Sequence, residues 1–456
     1  MENTVAEKRN HLETTPIVPL IIKMSVPTVL AQLVQLLYNV VDRVYVGRIE
    51  DVSSLALAGL GITFPIISLI IAFATFVGTG GATRAAIAMG EKNNQKAEKL
   101  LGNAISLIFI LSVTLTAVFL IFNEPILYVF GASEDTIIFA TDYLSIYLWG
   151  TIFVQATLGL NAFITNQGFA RTSMLTVIIG CVLNIILDPI FIFGLDMGVK
   201  GAALATVISQ AVSAIWVLSF LLGKKSLLKI RINNLFLSRT IVGAIASLGI
   251  SVFIMQSTES LIQLVFNRGM QTYGGDLHVA LMSILFSIMQ LVFLPISGLG
   301  QGAQPIISYN FGAKNVERAK EAFRCLLKFI CIFSFSFVGI ILIWPDFFIG
   351  IFTPDADLIA LGIPTLRIFL VGMAFMGIQS ACQQAFVATG NAKMSVFLAM
   401  LRKVILLVPL ALTLPHLFDF GYWGLIIAEP ISDTISATTA AILFFVNRKK
   451  IFIKKD

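Results

Sequence analysis

Charge is what this chain has least of. Asp, Glu, Lys and Arg make up 12% of its 456 residues, about half the share found in a soluble domain. Histidine is nearly absent. The three copies, His11, His278 and His416, lie near loops or ends, so no nucleophile–base constellation assembles around them and enzymatic function has no support. The four cysteines (Cys181, Cys325, Cys331, Cys382) stand singly in or beside apolar runs without zinc spacing, and they are expected as buried free thiols. Gly223-Lys224-Lys225-Ser226 lacks the upstream glycine of a P-loop, which removes a primary ATPase. A receptor or scaffold is expected to carry a sizeable soluble domain, and only ten residues follow Val446.

What is abundant is hydrocarbon: 57% of the residues are hydrophobic, including 37 Phe and 13 Met. The apolar runs exceed the roughly 20 residues that a helix needs to cross a bilayer. A membrane barrel would show short alternating strands instead. The fold class is therefore all-α, a membrane protein of twelve transmembrane helices at roughly 18–46, 53–82, 96–122, 134–160, 168–193, 200–222, 240–267, 277–304, 316–343, 357–384, 391–415 and 421–447. The run after residues 1–16 is too long for a signal sequence and lacks a small-residue cleavage site, so the first span is expected to stay in the mature protein.

The formal net charge of +6 does not point to nucleic acid, because the basic residues gather in three places. These are Lys224 to Arg239, Lys314 to Lys328, and a tail of Arg448, Lys449, Lys450, Lys454 and Lys455. This is the positive-inside pattern of cytoplasmic loops. Acids (Glu124, Glu134, Asp135, Asp346, Asp355, Asp357, Asp419) occupy the opposite connections. Both termini are thus expected in the cytoplasm, in a multi-pass protein of the inner or plasma membrane.

The chain repeats. A slide of 222 positions aligns Gly78 with Gly300, Gly80 with Gly302, Gly90 with Gly312, Lys92 with Lys314 and Asn93 with Asn315. The same register pairs Gly150 with Gly372, Gly168 with Gly390 and Ala170 with Ala392, and one inserted residue later Gly201 matches Gly424. Six spans per half give both halves the same orientation. The expected organisation is an N-lobe over 1–222, a cytoplasmic linker over 223–239 and a C-lobe over 240–456. Two such lobes rocking about a central cavity are the geometry of alternating access.

Against this apolar background, Asn184-Ile185-Ile186-Leu187-Asp188-Pro189 stands out. A carboxylate at mid-membrane costs about 3 kcal/mol on insertion scales and is rarely idle. Asn184 and Asp188, four apart, share one helix face. Asp42 is a second lone acid near the end of the first span, and Pro27, fifteen residues earlier, lets that helix bend. Thr206 in the next span can add a hydroxyl. Each feature also has a plain structural reading. Asp42 suits an interfacial acid, and Asp188-Pro189 suits a helix stop. The repeat counts against these, since Asn184 and Asp188 fall opposite Leu406 and Leu410. Two carboxylates with amide and hydroxyl oxygens at Asp42, Asn184, Asp188 and Thr206 suit Na⁺, or the acids can share one proton. Both remain open.

In the C-terminal half, Glu259 lies among Gln256, Thr258 and Gln263. With Gln256 and Asn39 it is a candidate for lining a substrate cavity and meeting a cationic substrate; a helix–helix hydrogen bond is the competing reading. Arg402 and Lys403 lie about 15 Å inside the eleventh span. A structural ion pair with Glu429 or Asp433 is expected. Gly78-Thr-Gly-Gly81 and Gly298-Leu-Gly-Gln-Gly302 permit close helix contact.

With Pro27, Asp42, Asn184-x-x-x-Asp188-Pro189 and Thr206 in place, the chain resembles the multidrug and toxic compound extrusion family over nearly its whole length. The bacterial branch that includes the DNA-damage-inducible type is the most similar. The resemblance implies that Pro27 bends the first helix and that Asp42, Asn184, Asp188, Ala202 and Thr206 form an N-lobe cation and proton site. Glu259 matches a seventh-helix acid of another branch, but the accompanying tenth-helix acid is replaced here by Ile378 and Gln379. The implied activity is export of organic cations or amphipathic drugs against inward H⁺ or Na⁺. No cofactor is expected beyond the coupling ion, and a monomer in the lipid bilayer is expected. A flippase of lipid-linked saccharides is the alternative. It calls for a cavity lined with Arg and Lys, whereas the deep charges here are mainly acidic.

Overall fold

Lipid offers the backbone no hydrogen bonds, so a chain this apolar satisfies its amides within helices. The computed structural model describes residues 12–49 and 53–452, and among these it is helical almost throughout, without strands. His11 and the last two tail lysines lie outside the described residues. The principal helices are α1 Ile17–Val46, α2 Ser53–Gly90, α3 Asn94–Ile121, α4 Ile137–Trp149, α5 Thr151–Asn166, α6 Ala170–Pro189 and α7 Gly198–Leu222. They continue with α8 Arg239–Gly274, α9 Asp276–Gly312, α10 Val316–Ile343, α11 Ala356–Val371, α12 Met373–Ala388, α13 Ala392–Met400 and α14 Tyr422–Ile451.

Ten helical stretches among the described residues, counting α11 with α12 (Ala356–Ala388) as one and α13 with its continuation (Ala392–Leu417) as one, are long and apolar enough to cross a membrane, and α4 with α5 makes an eleventh span bent by 57°. The twelfth, α14, has 30 residues and carries Glu429 and Asp433 in its first half, which lowers its apolar character. The fold is thus the twelve-helix bundle expected, and the protein is a multi-pass membrane protein. The fourth span departs from a straight 134–160 helix because Gly150 breaks it. A methyl there would meet Val207 at 2.4 Å, so the kink brings α4–α5 onto α7.

Helix boundaries recur at the 222-residue offset. Gly90 and Gly312 end equivalent helices, Asn94 and Val316 begin the next, and Ile121 and Ile343 end them. The α4–α5 break at Gly150 recurs between α11 and α12 at Gly372. The local cause is visible at each joint. Lys92 and Lys314 both take the left-handed conformation (φ 60° and 58°). Asn93 and Asn315 then cap the following helices, accepting from Lys96 N and Arg318 N. Gly168 and Gly390 supply a positive φ at equivalent turns.

Two compact units result. The first comprises Leu30–Gln256 with the start of the chain, the second Thr15–Val29 and the chain from Ser257 onward. The first unit packs Ile66, Ile70, Tyr143, Leu144, Tyr147, Leu148 and Ala202 into its core. In the second, Phe266, Phe286 and Phe369 meet edge to face at 5.9–6.2 Å. The segment 223–239 is strapped onto the first unit. Gln167 Oε1 accepts from the Leu227 and Leu228 amides, Asn103 bonds the backbone at Asn234, Phe236 and Ser238, and Arg231 pairs with Glu98 at 2.9 Å.

Candidate cation site

Three helices of the first unit carry the oxygens. α1 presents Asp42 one turn before its end, α6 presents Asn184 and Asp188 on one face, and α7 presents Ala202 and Thr206, also one turn apart. All five are buried, Asp188 and Ala202 completely. The Asn184 amide donates to Asp188 Oδ1 at 3.2 Å and to Thr206 Oγ1 at 3.3 Å, tying α6 to α7. The Asp42 and Asp188 carboxylates interact electrostatically. Asp42 Oδ1, Asn184 Oδ1 and Asp188 Oδ2 are buried without a hydrogen-bond partner. Unsatisfied buried acceptors are costly, and two of these three belong to the interacting carboxylates. Ala202 offers a methyl group and its backbone alone.

The helix does not stop at Pro189. It widens into a π-helical turn over Ile190–Gly194, a form that recurs at functional positions. Among the described residues no group of three or more His, Cys, Asp and Glu is placed to hold a metal ion, so a bound Na⁺ would draw on the Asn, Thr and backbone oxygens as well.

Two tyrosines belong to this site and were not singled out from the sequence. Tyr38 on α1 and Tyr143 on α4 turn toward Thr206 and lie in the field of both carboxylates. A cavity of about 20 Å³ adjoins Tyr38, lined also by Gln35, Thr157, Cys181, Asn184, Thr206, Ser209 and Gln210 among others. That volume suits about one water molecule, and Ser209 Oγ and Gln210 Oε1 are also unpartnered. The signal was present in the spacing. Thr176, Gly180, Asn184 and Asp188 recur every four residues on α6, and Gln35, Tyr38 and Asp42 share a face of α1.

The remaining candidates are placed as follows. α1 runs unbroken through buried Pro27. Just beside it Thr28 donates to the Gly298 carbonyl at 2.6 Å and Ser25 to the Leu299 carbonyl at 3.2 Å, so this part of α1 is fastened to α9. Asn39 and Gln256 are exposed. Glu259 is ion-paired with Lys403, the helix–helix contact that competed with a cavity role. Arg402 takes both expected partners, Glu429 at 3.1 Å and Asp433 at 2.6 Å.

A bundle of this architecture, with buried oxygens converging in one half, defines a helical membrane protein of the transporter class. The chain belongs to the MatE family, whose profile matches residues 27–190 and 251–413. It is 26% identical over 449 residues to the multidrug export protein MepA of Staphylococcus haemolyticus (strain JCSC1435), covering 98% of each chain. A multidrug resistance MATE family transporter of the MOP superfamily, solved in an outward-facing conformation, superposes with a TM-score of 0.87 at 26% identity, over 96% of this chain and 98% of that one. A MATE protein solved in a bent conformation superposes with a TM-score of 0.89 at 25% identity, over 98% and 97%.

Proposed function

We propose that this protein is a secondary multidrug antiporter that exports cationic or amphipathic organic compounds in exchange for H⁺ or Na⁺ by alternating access. The observation that carries the reading is the buried pair Asp42 and Asp188, interacting with each other, each with an unpartnered oxygen, and joined by Asn184 to Thr206. The multidrug export role named for the staphylococcal relative supports the substrate class.

In this reading the lobes are 1–222 and 240–456, the linker and both termini face the cytoplasm, and the working unit is a monomer in the cell membrane. With no cation bound, two buried carboxylates repel. A proton or Na⁺ taken up among Asp42, Asn184, Asp188, Ala202 and Thr206 removes that repulsion and draws α1 toward α6 and α7. Pro27 supplies the hinge for the movement. The small cavity beside Tyr38 and Gln35 opens as α1 moves, since a drug needs several hundred Å³. Asn39 and Gln256 serve as substrate contacts, and Glu259 acts only through its partner Lys403. The cavity lining contains no Lys or Arg, which disfavours an anionic lipid-linked saccharide.

The test is efflux of a cationic dye from proteoliposomes with Na⁺ and pH gradients imposed independently. One of the two gradients should drive efflux, and Asp42→Asn and Asp188→Asn should each abolish the driven component while dye binding persists. Undiminished gradient-driven efflux in both variants overturns the assignment.

A further inference from the structure

The second unit contains a cluster of five charged side chains that the proposed ion site does not use. α14 carries Glu429 and Asp433, four residues apart on one face. The segment Leu401–Leu407, which continues α13 as a π-helix, carries Arg402 and Lys403. α8 carries Glu259. The Arg402 guanidinium bridges the two α14 acids, Nε to Asp433 Oδ1 at 2.6 Å and Nη2 to Glu429 Oε1 at 3.1 Å. Lys403 is bonded to Glu259. Ser432 Oγ donates to the Arg402 carbonyl at 2.7 Å, which fixes α14 against the widened turn.

Two features of this cluster point to a ligand. The first is its charge count. Three acids face two bases, so the fully ionised cluster keeps one uncompensated negative charge where burial makes such a charge expensive. The second is a set of open acceptors. Glu429 and Asp433 are 2% and 0% exposed, yet Glu429 Oε2 and Asp433 Oδ2 have no partner, and neither does Ser436 Oγ, three residues beyond Asp433. Among the described residues, packed neighbours add no compensating charge. α12 carries none, Asp357 and Arg367 of α11 are exposed with Arg367 bonded to the Leu342 carbonyl, and His416 is exposed beside Tyr273.

The internal repeat places the cluster independently. At the offset of 222, Gly180 and Cys181 correspond to Arg402 and Lys403. After the inserted residue, Thr206, Ser209, Gln210 and Ser213 correspond to Glu429, Ser432, Asp433 and Ser436. These first-unit residues all line the small cavity beside the cation site. The second unit has therefore filled the equivalent place with ionisable groups while keeping both serines.

We propose that this cluster is a second proton-binding site, in which one exchangeable proton is held between Glu429 and Asp433 under the Arg402 guanidinium. The proton comes from water and returns to water, leaving the cluster neutral when bound and singly negative when released. A proton fits better than Na⁺, because the Arg402 guanidinium already occupies one oxygen of each α14 acid and a second full cation placed against it would be repelled. A role in transport rests on the antiport reading above; the site itself rests on the geometry.

The test uses full-length protein carrying Asp42→Asn and Asp188→Asn, so that titration of the first unit cannot contribute. Infrared difference spectra between neutral and alkaline pH report the C=O stretch of a buried protonated carboxyl, recognised by its shift in D₂O. The expected result is one such band in this background, insensitive to added Na⁺. Adding Glu259→Gln with Lys403→Met removes one acid and one base, preserves the odd count, and should leave the band. Adding Glu429→Gln, or Asp433→Asn where that variant is the one that gives monodisperse protein, makes the count even and should remove it. A background without the band, a band that persists in the even-count variant, or one displaced by Na⁺ at constant pH overturns the proposal.

Discussion

The crossing of α2 and α8 can be tested by adding a single methyl group. An ideal Cβ on Gly80 would lie 2.3 Å from the Ile245 carbonyl oxygen and 2.9 Å from Gly249 N, and one on Gly249 would lie 2.2 Å from the Phe76 carbonyl oxygen. Ordinary contact starts near 3.4 Å, so Gly80→Ala must push the helices apart by about 1 Å in a close-packed interior. The opposing atoms are backbone, and no rotamer change can make room. Overpacking of this kind costs about 1–3 kcal/mol, and the better helix propensity of Ala offsets about 0.5–1 kcal/mol. The expected net loss is about 1–2 kcal/mol, a roughly 5–30-fold shift in the folded population. Gly61 lies on the same helix with nothing within 4 Å of its would-be Cβ, so Gly61→Ala should raise stability slightly. The assay is thermal inactivation of purified protein in detergent, with both variants run beside the parent and read as rates because membrane-protein unfolding is commonly irreversible. If the two substitutions move the inactivation rate in the same direction, the close approach at Gly80 is refuted.

Other substitutions probe the two buried polar centres. Thr206→Val keeps the shape but removes an acceptor of the Asn184 amide; at about 1–1.5 kcal/mol per bond the ion concentration for half-maximal efflux should rise about tenfold, and an unchanged value would separate Thr206 from ion binding. Arg402→Met leaves Glu429 and Asp433 facing each other without their shared cation, a loss of about 3–5 kcal/mol expected to appear as a sharply faster thermal inactivation, with Asp433→Asn the milder change. Pro27→Ala restores a backbone donor within α1 and should slow driven efflux while leaving equilibrium dye binding in place; wild-type turnover would exclude the hinge.

Much of this was legible because membrane solvent makes sequence patterns strict. Apolar run length gave the spans, and the 222-residue offset gave the repeat whose helix ends fall at equivalent residues. The i,i+4 relation of Asn184 and Asp188 gave one edge of the site without any knowledge of its neighbours. Tyr38 could be read from the α1 face it shares with Gln35 and Asp42, whereas Tyr143 was hidden for a physical reason, since an aromatic in an apolar run reads as core and only its hydroxyl direction distinguishes it. The pairing of Lys403 with Glu259, 144 positions away in sequence, leaves no local trace. The same holds for Gln167 and Asn103, whose partners are loop amides and carbonyls brought in by tertiary folding.

The glycines also explain why the compact units do not divide at the linker. Gly80 and Gly302 are equivalent in the repeat, and each abuts a helix that opens a half. Gly80 meets α8 at Ile245 and Gly249, and Gly302 meets α1 at Ser25, where a Cβ would approach Cα at 2.4 Å. The beginning of α1 therefore belongs with the second unit, and the beginning of α8 with the first. For α1 the transfer falls between Val29 and Leu30, just past Pro27, whose missing amide already weakens the helix there. Thr28 and Ser25 hold the near side through the Gly298 and Leu299 carbonyls, while the far side carries Tyr38 and Asp42. In the antiport proposed above, a helix clamped on one side of Pro27 and carrying Asp42 on the other converts a change in charge into a change of direction, and the clamp itself follows from where the glycines allow backbones to touch.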